Sequence, residues 1–88
     1  MIISDKWRAP AGERRYVATE KELSEPGWRE YGGKGYAYWM LARQIEDEFG
    51  DEPATIREIY ESVTSPLGLS SSDTIALVKA AKREGYLA

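Results

Sequence analysis

The sequence predicts a mainly α domain: three helices in its second half, after a short N-terminal extension with candidate β strands. Three observations carry that expectation. Residues able to pack recur at helical spacing from Tyr38 to Phe49, from Ile56 to Val63 and from Thr74 to Ala81. Glycine, proline and serine punctuate the gaps, where helices stop and start. The 88 residues are 42% hydrophobic, enough for one modest core, since so short a chain buries about 60–65% of its unfolded surface. One domain, 1–88, is expected, with an extension over 1–35 and a helical core over 36–88.

The first helix is expected from about Tyr36 to Phe49. Tyr38, Leu41, Ala42, Ile45 and Phe49 form its apolar stripe, Arg43, Glu46 and Asp47 fall away from it, and Gly50 stops it. The second is expected from about Pro53, which suits a first helical position, to Val63, with Ile56, Ile59, Tyr60 and Val63 inward. Thr64 to Leu69 reads as a turn-rich break around Pro66 and Gly68. The third helix opens at the serine run, where Ser70 and Asp73 have capping-box spacing and Ser71 is an alternative cap. Thr74, Leu77, Val78 and Ala81 make its buried face, and Gly85 ends it after Lys82 and Arg83. Tyr86 and Leu87 then fold back onto the core.

The extension is less regular. Lys6-Trp7-Arg8 and Arg14 to Thr19 are candidate strands, and Thr19 to Leu23 a candidate helical turn. Glu25-Pro26-Gly27 reads as a turn, Trp28 to Tyr31 as a short aromatic stretch, and Gly32-Gly33-Lys34-Gly35 as a flexible joint.

Composition narrows the function. With no cysteine and no histidine, disulfides, thiolate zinc sites, imidazole bases and Cys/His nucleophiles are excluded. No serine, tyrosine or carboxylate pairs with a base by spacing, so no enzymatic activity and no cofactor are expected. No apolar run reaches the roughly 18 residues of a membrane span, and the N-terminus lacks a signal-peptide layout, so a cytoplasmic (intracellular) protein is expected. The net charge of −3 is unevenly spread: residues 1–36 carry +1, residues 37–63 carry −5 and residues 64–88 carry +1.

Helix, short link, helix, turn, capped helix is the order of a helix-turn-helix. The runs Glu52 to Ile59, Leu67 to Thr74 and Lys82 to Leu87 carry it further. Together with Ile45 to Gly50 they resemble the N-terminal winged-helix domain of the SOS-response (LexA-type) repressors, over about residues 37–88. The resemblance implies a DNA-binding fold whose third helix lies in the major groove, with Ser71, Ser72, Asp73 and Ala76 among the bases. This chain differs by an insertion, Thr64-Ser65-Pro66, before the Leu-Gly-Leu turn. It stops at Ala88, where the family continues into a two-stranded wing, so the expected core is winged-helix-like with no C-terminal wing. The resemblance does not extend to the family's protease domain, and autocleavage is not implied. A strand in place of the wing would have to come from the N-terminal segment.

The exposed stripe of the third helix is expected to be Ser72, Ala76, Lys79 and Arg83, flanked by Asp73 and Ala80. Lys79, Lys82 and Arg83 have the reach for phosphates or guanine edges, and Arg14 and Arg15 are candidate phosphate clamps. The bland alternative is the solvated face of a capped helix. Lys6-Trp7-Arg8, Arg14-Arg15-Tyr16 and Trp28-Arg29 interleave cations with aromatics, as in nucleic-acid grips, but Trp7, Tyr16 and Trp28 read more simply as core. Gly32-Gly33-Lys34-Gly35 lacks the spacing and Ser/Thr of a phosphate loop. Glu46, Asp47, Glu48, Asp51 and Glu52 lack the register of a calcium loop; they read as a solvated face or a docking surface for a basic protein. The expected function is a small DNA-binding transcriptional regulator that occupies double-stranded DNA, as a candidate homodimer. The alternative is a protein-interaction module that docks through its acidic face.

Overall fold

The computed structural model describes residues 14–23 and 34–88. Its elements are strand β1 (Arg15–Tyr16), helix α1 (Lys34–Phe49), strand β2 (Ala54–Thr55), helix α2 (Ile56–Ile59) and helix α3 (Ser71–Arg83). Among the described residues no helix is long and apolar enough to cross a membrane.

Helix α1 begins two residues earlier than its stripe suggests, so Lys34 and Gly35 are helical and not a joint. Leu41, Ala42 and Ile45 are buried, and Tyr38 and Phe49 pack against the core from its edge. Gly50 stops the helix with φ +62°, a conformation that costs an L-residue about 1–2 kcal/mol. Arg43 is not a solvated residue. Its guanidinium donates to the Thr19 carbonyl at 2.5 Å and pairs with Glu46 at 3.0 Å, tying α1 to the N-terminal segment.

The second helix starts later and ends later than expected. Pro53 is not its first residue; Ala54 and Thr55 form β2, and Thr55 caps α2. The Thr55 hydroxyl accepts from the Glu58 N–H at 3.1 Å, and the Glu58 carboxylate accepts from the Thr55 N–H at 2.9 Å, a complete capping box. The helix then continues through a π turn (Tyr60–Thr64) and a 3-10 turn (Ser65–Leu67), where a break was expected. Pro66 supplies the physical reason: it has no N–H, and its ring would strike the carbonyl four residues back in a regular α-helix. Widening and then tightening the turns accommodates it without ending the helix. Gly68 (φ +90°) makes the stop.

Helix α3 agrees with its sequence signals. Ser70 is the cap, with Asp73 completing the box, and Thr74, Val78 and Ala81 are buried, while Leu77, expected with them, is half-buried and packs against the core from its edge. At the other end the Tyr86 N–H reaches the Ala81 carbonyl at 2.9 Å, and the Gly85 N–H that of Lys82 at 3.0 Å. That is the Schellman pattern, and it turns Tyr86 and Leu87 into the core. Ala80 is a correction: it is buried, not exposed.

The N-terminal segment lies between two others. Arg15 and Tyr16 pair antiparallel with Thr55 and Ala54, and Ala18 bridges Leu87. Val17 exchanges backbone hydrogen bonds with Ala88 at 3.2 and 2.8 Å, and the Thr19 N–H donates to Tyr86 at 3.0 Å. Tyr16 is buried in the core, as its simpler reading has it. Residues 19–23 form no helical turn; Thr19 and Lys21 instead close the end of α3. The readings placed on Lys6 to Arg8, Glu25 to Tyr31 and Gly32-Gly33 lie outside the described residues.

Candidate nucleic-acid interface

The site is built on α3, and the second helix fixes α3. Thr64, at the end of the π turn, and Thr74, in the first turns of α3, are buried and share a hydrogen bond of 2.6 Å. The Thr74 hydroxyl also donates to the Ser70 carbonyl at 2.8 Å. The turn between the helices is thus latched from inside, and the outer face of α3 follows from it.

That face carries Ser72, Asp73, Ala76, Lys79, Lys82 and Arg83, all exposed, while Ser71 is half-buried. At 100° per residue, Ser72, Ala76, Lys79 and Arg83 fall within about 60° of one another. Among the described residues Lys79, Lys82 and Arg83 make no ion pair. Asp73 is committed to the cap: its N–H donates to the Ser70 hydroxyl at 3.0 Å, and its carboxylate faces the Ser70 N–H at 3.5 Å. Beside the stripe an open groove of about 480 Å³ runs between α3 and the start of α1, lined by Ala37, Tyr38, Leu69, Ala76, Ala80 and Arg83 among others. Ala80, which is buried, lines the floor side of this groove and not the exposed stripe.

Arg14 and Arg15 do not join this stripe. Arg15 sits opposite Thr55 and pairs with Glu58 at 3.5 Å, so its charge is shared with the carboxylate that caps α2. From Arg15 to Thr19, which reaches the end of α3, the chain climbs about 13 Å at strand spacing. Arg14 is exposed at the far end of that climb.

Lys21 lies at the basic end of α3 without any local sequence signal that places it there. Its ammonium donates to the Glu84 carbonyl at 2.6 Å and stands 4.7 Å from the centre of the Tyr86 ring. The Thr19 hydroxyl donates to the Gly85 carbonyl at 2.7 Å. The two carbonyls just beyond the C-terminus of α3 are therefore closed by the N-terminal segment.

The acidic residues are elsewhere. Glu46, Asp47 and Glu48 are exposed on the last turn of α1, and Asp51 and Glu52 on the loop after it. Tyr38, at the start of α1, adjoins the α3 groove, so the block lies about 12–15 Å further along the α1 axis for residues 46–48. Glu46 is paired with Arg43. Among the described residues no group of three or more acidic side chains gathers closely enough to hold a metal ion.

No family model, curated protein or solved structure matches the chain.

Proposed function

We propose that the protein is a small DNA-binding regulator of helix-turn-helix type that occupies duplex DNA through α3. One observation carries the reading: Lys79, Lys82 and Arg83 stand exposed and unpaired on the outer face of a helix capped at both ends and latched to its predecessor. A rigid helix with free cations outside, and the acidic block displaced along α1, is the arrangement phosphate contact requires. The resemblance of residues 37–88 to the winged-helix domain of the SOS-response repressors supports the same reading. So does the pairing of residues 17–19 with 86–88, which sets the N-terminal segment beside the residues after α3, where that family has its wing. The action would be steric occupation of a DNA site, with no chemistry. Titrating the full chain with a mixed-sequence duplex, followed by tryptophan fluorescence, tests it. Binding that weakens with salt supports the reading; no binding at low salt by folded protein rejects it.

A second reading is a module that docks a basic protein through Glu46, Asp47, Glu48, Asp51 and Glu52. The observation that favours it is local: three of these carboxylates crowd the negative end of α1, whose last turn has no basic residue. A basic partner would relieve that repulsion.

A further inference from the structure

We infer that α3 holds duplex DNA by its C-terminal half, through phosphates, with little preference for sequence. The inference rests on the DNA reading above and departs from the placement that the family resemblance implies, in which residues early in the helix read bases.

The first two turns of α3 have little to read with. Their exposed residues are Ser72, Asp73 and Ala76, with none of the Asn, Gln or Arg side chains that pair with base edges in bidentate fashion. Asp73 brings a negative charge to that end, held there by the capping box. The cations come later. Lys79, Lys82 and Arg83 span about 6 Å of helix axis, and Lys79 and Arg83 lie one turn apart on the same stripe. Lys21 stands at this end too, with its ammonium held on the Glu84 carbonyl and 4.7 Å from the centre of the Tyr86 ring. Glu20, Glu22 and Glu84 are exposed near it in the chain and keep the patch modest.

Three free cations set the size of the effect. Each phosphate contact contributes about 0.9 to the slope of log affinity against log salt, so three give a slope of about −2.7. Affinity then falls by about 40-fold between 50 and 200 mM salt, against the 10³-fold or more of a protein with six to ten contacts. With all three cations on phosphates, no long side chain of α3 remains to choose between bases.

The test uses the full chain and two 20-base-pair duplexes, one of mixed sequence and one of A·T pairs only, across a salt series. Lys79→Gln, Lys82→Gln and Arg83→Gln should each flatten the slope by about 0.9. Ser72→Ala and Ala76→Gln should change affinity less than about twofold, and the two duplexes should bind within about threefold of each other. Circular dichroism establishes that each variant is folded. A tenfold loss in Ala76→Gln or Ser72→Ala, with the slope kept in the cation variants, would overturn the inference while leaving DNA binding intact. A hundredfold preference for one duplex would do the same. Failure of the unsubstituted chain to bind either duplex at low salt would reject the DNA reading itself.

Discussion

Thr64 is the hydrogen-bond donor to Thr74, because the Thr74 hydroxyl hydrogen is already engaged on the Ser70 carbonyl at 2.8 Å. The two hydroxyl oxygens lie 2.6 Å apart, and both residues are almost fully buried. The pair joins the end of the second helix to the start of α3, and the two threonines depend on it unequally. Thr74→Val leaves the Thr64 hydroxyl buried without a partner and should cost about 1–3 kcal/mol. Thr64→Val removes one donor but leaves Thr74 bonded to Ser70, and should cost less. The double variant should cost less than the two single losses together, because removing both polar partners of one bond is far cheaper than removing one. Denaturant unfolding of the four proteins checks this; additive losses would show that the latch is not a coupled pair.

The second helix is held by its apolar face. Ile59 is fully buried in the core, so Ile59→Ala should cost about 2–5 kcal/mol through lost burial and the cavity left behind. A loss under about 0.5 kcal/mol in chemical denaturation would show that this face is not packed as described.

Gly85 ends α3 with φ +92°. An added Cβ there would meet Lys21 Cδ at 3.6 Å, an ordinary contact, so the penalty comes from the backbone and not from crowding. Gly85→Ala should lower stability by about 1–2 kcal/mol. Gly85→Asn should be milder, since asparagine tolerates the left-handed conformation better. Thermal unfolding of both variants measures the difference.

These residues show what was legible in the sequence. Helices α1 and α3 were, because in each the apolar stripe agrees with the stopping glycine, and in α3 the Ser70–Asp73 cap agrees with both. The second helix was legible in its buried face but not in its ends. Thr55 and Glu58 carry the capping-box signature in plain view, yet Pro53 offered a competing start. Pro66 suggested a break, and tertiary packing instead absorbed it as a π turn and a 3-10 turn. In the candidate site the exposed lysines and arginine of α3 follow from helical spacing. Lys21, Arg43 and the Arg15–Glu58 pair do not, because their partners are distant in sequence and only the pairing of residues 15–19 brings them close.

Arg15 of β1 should matter little to α3. Arg15 and Glu58 are each about half exposed, so Arg15→Ala should change stability by less than about 1 kcal/mol. It should also leave the DNA affinity of the full chain within about twofold, in contrast to Lys79→Ala combined with Arg83→Ala, which should abolish binding without unfolding the domain. Paired measurements of unfolding and duplex binding on these variants separate the two roles.

The outer face of α3 is proposed as the contact surface. Its most direct test is an amide chemical-shift titration of the isotope-labelled chain with a short duplex at low salt. Shifts are expected at residues 76–85, with residues 46–52 unmoved. Shifts confined to residues 46–52, or none anywhere at millimolar duplex, would contradict it.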